Sequence, residues 1–562
     1  MNFTPVIARS KATKPSITTL WIASLAFAMT MGGMASVSLA APATIDFTVT
    51  MSEAANVTGC PANCPRIAVT VDGQTRYAEY SAGTGSSSLT FSYAPTIGDL
   101  DLDGVTLTSP IDLNGGTITD LNGNAITDLA YTAPDTSGIK IDYPSLSMDF
   151  ITDADGRYTI NGTAYNDLSS FLGAAGGSFT RASTATYFDS TGTLQTAASG
   201  EPRFDHDPIT HAPKGILIEE SRTNKLLFSQ QIETSTTKWA VSNTTLTLSA
   251  IPSPIQSTMA YSVNENTNNT THYFQSGTYT LSDTNNTISA FVKTNGRSSI
   301  GFKTNANGIT TNCIFDLSTG TVSSLGTYLS ATITPINNGW WRLSATFNPS
   351  AGSGVSTWVG IQLYDDSNNS VYAGDPTKGI YATGFQWEHG SFPTSYISTT
   401  GAAVTRQADM LTMPTGGWHD SARGTMFAQA SIPHMGGANS PRTASLDDAT
   451  NNNRINLLIN DGGADQSYAQ IYNLGTNLFN SIIGTYTQNT NFKQGIAYAN
   501  NNTISAFNGV LGSLDVSVSI PTVSQLSIGR HAIGTEILNG NIQNLRYYPT
   551  RVSNTQLQLL TQ

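Results

Sequence analysis

Charge is scarce in this chain. Only 11% of its 562 residues are Asp, Glu, Lys or Arg, against ~25% in ordinary soluble domains. Acidic residues outnumber basic ones, 38 to 26, for a formal net charge of −12. A partner with a phosphate backbone needs a basic stripe, so nucleic acid is excluded. No run of Lys or Arg marks a membrane-surface patch. Cysteine is nearly absent, with three in the whole chain, which excludes a disulfide-dense scaffold. Signatures of catalysis are also missing: there is no Gly-x-Ser-x-Gly elbow, His-Glu-x-x-His or phosphate loop.

What is present is Ser, Thr, Asn and 50 glycines around short apolar runs, with 39% hydrophobic residues overall. That is enough apolar matter for several cores, and the length suits roughly three or four domains. Residues 1–40 read as a signal peptide: Arg9, Lys11 and Lys14 precede an apolar stretch from Leu20 to Met34. Ser38-Leu39-Ala40 fits a cleavage site that leaves Ala41 first and directs the protein outside the cell or to its surface. Gly32 and Gly33 argue against an uncleaved anchor, and no later segment is long and apolar enough to span a bilayer. In an oxidising compartment Cys60 and Cys64 favour a local disulfide. Free thiols are the next reading. Metal comes last, because it needs two more soft ligands and Cys313 is far away in sequence.

The pattern is all-β. Thr44 to Met51 alternates apolar and polar residues, and 67–71, 75–80 and 88–93 repeat this between turns such as Asp72-Gly73 and Gly83-Thr84-Gly85. Residues 41–145 therefore form a first sandwich. Residues 146–225 read as strands and loops, 226–412 as a second sandwich and 413–562 as a third. In the last unit strands are expected at 425–431, 453–459, 468–472, 494–499, 503–507 and 526–529. Ser553-x-x-Gln556 is a capping box before a short terminal helix.

Particular wording adds family resemblances. Residues 179–188 (Phe-Thr-Arg-Ala-Ser-Thr-Ala-Thr-Tyr-Phe), 202–208 and 212–224 resemble the module of phage tail and head-spike proteins that leads into lectin-like sandwiches. Gly384-Phe385-Gln386-Trp387-Glu388, Pro393-Thr394-Ser395-Tyr396-Ile397, Arg406 and Asp409 continue it, and imply a jelly roll similar to carbohydrate-binding modules. Asn338-Gly339-Trp340-Trp341-Arg342 resembles the same jelly roll. Residues 52–54, 98–104 and 113–118 resemble bacterial Ig-like surface repeats, usually spacers or stalks. The ending 539–549 resembles concanavalin A-like and laminin G-like sandwiches.

The chemistry expected is binding. A glycosidase needs two carboxylates across the scissile bond, yet the last unit has one glutamate, Glu536, in a turn. Glu219 and Glu220 are adjacent and point to opposite faces of a strand. Sugar rings stack on aromatic faces while amides and carboxylates take their hydroxyls. Trp340 and Trp418 sit in predicted turns and are the expected stacking platforms. Trp341, Trp358 and Trp387 sit in strand patterns and read as core. Tyr468 and Tyr472 share one sheet face, as sugar contacts or packing. Asp99, Asp101 and Asp103 alternate as at the start of a calcium loop, although the twelfth position is Pro110, unlike an EF-hand. No cofactor is required, and calcium is admitted. The expectation is an exported, non-catalytic glycan-binding or adhesion protein whose partner is a surface polysaccharide. Its rivals are a phage or prophage receptor-binding protein and a polysaccharide-degrading enzyme or its accessory subunit.

Overall fold

The computed structural model describes residues 44–562 except 235–238, 281–283, 307–308, 310, 350–355, 435–439 and 461–464. The signal peptide and its cleavage site lie outside the described residues. The protein is all-β. The described α-helices are Leu168–Ala175 and Asn554–Thr561.

The first unit is a six-stranded antiparallel sheet. Strand Ile45–Thr58 shifts register between Thr50 and Ala55, pairing first with Ser86–Tyr93 and then with Thr117–Asp120. Period-two alternation buries Ile67, Val69 and Val71 from one strand and Leu89, Phe91 and Tyr93 from another. Ile126, Leu129, Tyr131 and Ile141, from chain with little regular structure, complete this core. Cys60 and Cys64 are joined by a disulfide, S–S 2.06 Å, at the turn after the first strand. Cys313 is a buried thiol in the second unit.

The jelly roll has two six-stranded sheets. One runs through Trp239–Ser242, His272–Ser276, Val359–Leu363, Ser299–Thr304, Cys313–Asp316 and Thr321–Ser324. The other is centred on Gly379–His389 and Asn286–Asn295. Between them lie Phe274, Phe302, Phe315, Phe347, Phe385 and Trp387.

The third unit is not continuous in sequence, which corrects the boundaries drawn at 225 and 413. Its long strand Gly540–Tyr548 pairs with Arg423–Ser431 on one side. On the other it pairs with Leu146–Asp149 and Pro213–Ile218. Its second sheet starts with Ser178–Thr180 beside Met410–Pro414. Leu146, Met148, Tyr158, Phe171, Ile216 and Ile218 share one core with Ile455, Ile496 and Ile542. The segment 146–225 is thus the first part of the last sandwich, and the jelly roll is inserted into it. Short strands Arg222–Asn224 and Val404–Arg406 pair antiparallel and carry the chain into the insertion and back. Helix Leu168–Ala175 belongs to the same first part. Asp167 caps it by accepting from Ser170 N, and Gly176 closes it in the left-handed region.

A buried ionic cluster holds this junction. Arg181 Nη1 donates to Asp409 Oδ1 at 2.9 Å, and Arg203 Nη2 to Asp409 Oδ2 at 2.5 Å. Arg203 Nη1 donates to Glu219 Oε2 at 2.7 Å and Ser395 Oγ at 2.8 Å. Ser395 N and Oγ donate to Glu219 at 2.7 and 2.6 Å. Arg406 Nη1 lies 3.4 Å from Glu219 Oε2. Burial alone would raise the Glu219 carboxyl. Arg406, Arg203 and the Ser395 donors more than reverse that and hold it well below the usual carboxylate range.

Removing one member of a buried pair strands its partner without compensation. Asp409→Asn and Glu219→Gln are each expected to lower unfolding free energy by about 3–5 kcal/mol, read by denaturant titration. Because the folded pKa of Glu219 is depressed, its contribution is present above an unfolded pKa of about 4.3 and is lost as pH falls below it. The wild-type advantage over Glu219→Gln should therefore shrink in acid; an advantage that grows there contradicts the assignment.

A second consequence concerns autonomy. Residues 415–562 expressed alone lack the neighbours of Gly540–Tyr548 on one edge and much of the shared core. That fragment is expected to show no cooperative thermal transition by circular dichroism, whereas residues 44–562 should show one. A cooperative melt of 415–562 would mean that the amino-terminal part is dispensable.

Candidate functional site

The expected stacking platforms are core residues. Trp340 and Trp418 are each 2% exposed. Asn337–Gly339 forms a tight turn with Asn338 and Gly339 at φ 61° and 74°. This turn delivers Trp340 to a cluster with Leu194, Ile255, Phe291 and Tyr396, between the insertion and the chain before it. Trp418 packs edge-on against Tyr547 at 5.1 Å and donates from Nε1 to Pro414 O at 3.0 Å. Turn residues were expected to be exposed, but these two turns fold their rings inward. Truncating either should cost about 3–5 kcal/mol of stability in a denaturant titration, as large core truncations do. A normal stability with lost glycan binding would restore them as platforms.

The aspartates do not converge either. Asp99 accepts from Arg76 Nη2 at 2.9 Å and Thr96 N at 2.8 Å, and also from Tyr93 Oη. Asp101 accepts from Asp72 N at 2.9 Å and Gly104 N at 2.8 Å. Asp103 accepts from Gln556 Nε2 at 2.5 Å. Each of the three carboxylates is engaged by its own set of protein donors. Among the described residues no three His, Cys, Asp or Glu side chains gather as a metal site. Gln556, expected to close a capping box, reaches instead across to the first unit, and its Oε1 accepts from Leu102 N at 2.7 Å. Ser553 still caps the helix through Gln556 N.

One aromatic face lies on the jelly roll. Strand His272–Ser276 buries His272, Phe274 and Ser276, leaving Tyr273 and Gln275 outward. Register places Tyr273 beside Gln362, and Gly360 beside both Gln275 and Lys303. Tyr273 and Trp358, both half-buried, stack 6.1 Å apart at 12°. Lys303 Nζ sits 4.3 Å from the Tyr273 ring centroid and donates to Gln362 Oε1 at 2.7 Å. Asn312 Nδ2 donates to Tyr364 Oη at 2.8 Å. Burial lowers the Lys303 pKa and raises that of Tyr364. Gly360 and Gly301 leave the middle of this face without side chains. A Cβ at Gly360 would lie 2.1 Å from Phe274 O, so the gap is enforced by backbone contact. Two parallel rings beside amide, hydroxyl and ammonium groups can take the apolar face and the hydroxyls of a sugar. Trp358 reads as core from its strand pattern, yet it is half-buried, and alternation places it on the face opposite buried Thr357 and Val359.

A second face lies on the seven-stranded sheet of the last unit. Strands Arg454–Asn460 and Gln466–Asn473 send Ile455, Leu457, Ala469 and Ile471 into the core. Period two then puts Arg454, Asn456 and Leu458 on the opposite face, opposite Tyr472, Gln470 and Tyr468 respectively. Tyr468 and Tyr472 thus share the outward face. The Arg454 guanidinium lies 3.5 Å from the Tyr472 ring centroid. Arg442, Arg454, Leu458, Gln470, Tyr472, His531 and Glu536 line a cavity of about 370 Å³. Arg442 Nη2 is 3.0 Å from Glu536 Oε2. Burial lowers Arg442 to about 10 despite Glu536. Burial and the cations Arg442, Arg454 and Arg530 lower His531 to about 4, so it is neutral at pH 7.

No family model matches this chain, and no curated protein matches it. Solved structures do show similarity. The carbohydrate-binding module of a Ruminococcus gnavus sialidase, bound to α2,3-sialyllactose, is 14% identical at a TM-score of 0.23, covering 25% of this chain and 84% of its own. Domain 4 of an extracellular arabinanase from Geobacillus stearothermophilus, with arabinotriose, is 12% identical at 0.23, covering 31% and 82%. Domains LG4-5 of the mouse laminin α1 chain are 8% identical at 0.19, covering 51% and 88%. At these scores none assigns a role to a residue of this chain.

Proposed function

We propose that this chain is an exported, non-catalytic glycan-binding protein in which two sandwiches present sugar-contacting faces and the first unit acts as a spacer. The observation that carries the reading is the Tyr273–Trp358 stack beside Lys303, Gln362 and Asn312 on the jelly roll. The rings offer an apolar face, and the half-buried Lys303 and Asn312 stand beside it with polar groups, a combination that suits a saccharide. The face is open, so it buries only part of a sugar. Single-site affinity is expected to be modest, with retention on a polymer coming from repeated contacts. The carboxylates of the charged junction are saturated by arginine and serine donors, which leaves none of them free for acid–base work.

A glycan array on the mature chain tests this reading. Replacing Trp358 with Ala should weaken a bound neutral oligosaccharide by about 1 kcal/mol, roughly fivefold, with the melting temperature nearly unchanged. A reducing-end assay run on the same ligands should stay silent. Release of reducing sugar would make the protein an enzyme, and an empty array would point to a protein-binding adhesin.

A further inference from the structure

The cavity on the last sandwich carries an excess of cationic side chains. The chain is acidic overall, at −12, yet the cavity is lined by two arginines and one carboxylate. Both arginines are deeply buried, Arg442 at 4% and Arg454 at 8% exposure, and so is His531 at 3%. Glu536 takes Arg442 Nη2 and Ser440 O takes its Nη1, which leaves Nε. The Nε of Arg442, the Nε of Arg454 and the Nδ1 of His531 are buried without a hydrogen-bond partner. A buried, unmatched donor is unfavourable unless something fills the site, and guanidinium groups match planar or tetrahedral oxyanions. Other charges nearby do not complete them. Arg530 spends its donors on His531 O and Ala532 O, at 3.2 and 3.0 Å. Asp447 takes Gln525 Nε2 at 2.7 Å and Ala449 N at 2.9 Å on Oδ1, and its Oδ2 is buried without a hydrogen-bond partner, so the carboxylate is a neighbour of Arg454 and Arg530 that hydrogen-bonds to neither.

We propose that this cavity receives the anionic group of an acidic saccharide, a carboxylate or sulfate ester, between Arg442, Arg454 and His531. Its volume of about 370 Å³ falls within the ~300–1,000 Å³ typical of small-molecule sites and exceeds what a lone anion needs. Tyr472 and Leu458 supply apolar surface for the ring that carries the charge. Gln470, Asn451, Ser440 and Thr535 line the same cavity and offer partners for hydroxyls. Neutral His531 leaves an imidazole that donates from one ring nitrogen. This proposal deepens the glycan-binding reading and rests on it, but it uses a different sandwich from the Tyr273–Trp358 face.

Isothermal titration of the mature full-length chain tests it with four ligands: tetragalacturonate, its methyl ester, a sulfated galactan tetrasaccharide and sodium sulfate. At least one acidic oligosaccharide should bind about tenfold tighter than its uncharged counterpart, and added salt should weaken it. Preference for the uronate identifies a carboxylate, and preference for the sulfated sugar a sulfate ester. Arg454→Gln should remove the preference, and Arg454→Lys should restore only part of it, because the fork is lost while the charge is kept. Trp358→Ala should leave it intact. Arg442→Gln disturbs a buried pair, so it is read only where the melting temperature holds; the ester comparison on the unaltered protein does not depend on it. Equal affinity for acid and ester, together with no advantage for the sulfated sugar, overturns the proposal. So does a preference that survives Arg454→Gln, or binding of sulfate as strong as that of the oligosaccharides. Neutral sugars bound without acidic preference would sink this inference alone. No binding of any saccharide would sink the glycan reading with it.

Discussion

The seating of the jelly roll in its host sandwich turns on Asp409. Its carboxylate takes Arg181 with one oxygen and Arg203 with the other, while the second oxygen also accepts the backbone N–H of Glu219 at 2.9 Å. Those partners come from chain before the jelly roll, and Asp409 comes from chain after it. Ser395, from within the jelly roll, joins through Glu219. Three arginines, Arg181, Arg203 and Arg406, face two carboxylates here. Desolvating so many charges is expensive, and an apolar junction of equal volume could be as stable. What the charges add is geometry, since each guanidinium fork can donate to its carboxylates in few arrangements. We read the cluster as the device that fixes the inserted domain against its host.

The first unit is attached by different means. Leu100 packs with Phe427, Tyr548, Val552 and Leu557. Asp142 binds both Arg546 and Tyr548, the latter at 2.6 Å. Asp72 Oδ2 accepts from Ser553 N at 2.8 Å, next to the Gln556 contacts with Leu102 and Asp103. The terminal helix therefore serves as a docking surface as well as a cap. A freely hinged stalk would lack such contacts. The acidic loop that looks like an ion site in sequence is in fact half of this joint.

The sequence made the strands legible because alternation is local: Arg66–Val71 and Gln466–Asn473 lie within two residues of their expected bounds. Helix Leu168–Ala175 escaped notice, although Asp167 and Gly176-Gly177 are ordinary start and stop signals. Discontinuity was harder to see. Nothing within 146–225 announces that Leu146–Asp149 and Pro213–Ile218 pair with a strand more than three hundred positions later, since hydrogen-bond partners across a sheet leave no local mark. The runs 179–188, 202–208, 212–224 and 393–409 stood out as wording, and they contain Arg181, Arg203, Glu219, Ser395, Arg406 and Asp409. A family-like phrase was visible there, but its role as a junction required the fold. Trp340 and Trp418 failed for a related reason: turn propensity fixes backbone direction, and the neighbouring unit decides whether the ring is covered.

The two outward faces differ in chemistry because they solve different packing problems. On the jelly roll, Gly301 and Gly360 allow the strands to approach without side chains, so aromatic rings and amides stand at the margin of an open surface. On the last sandwich, a row of long side chains, Arg454 against Tyr472 and Leu458 against Tyr468, is walled by the 531–536 turn. The first arrangement suits a neutral ring lying flat. The second suits a ring with a charged substituent, because it holds buried donors that water reaches poorly. The Asp409 cluster and the pairing of Arg222–Asn224 with Val404–Arg406 tie the sandwich that bears one face to the sandwich that bears the other. Fixed spacing raises the effective concentration of the second contact when the repeat of a polymer matches it, and removes that gain when it does not. Such a protein would select a polysaccharide by the distance between its charged and neutral residues as much as by the sugars themselves.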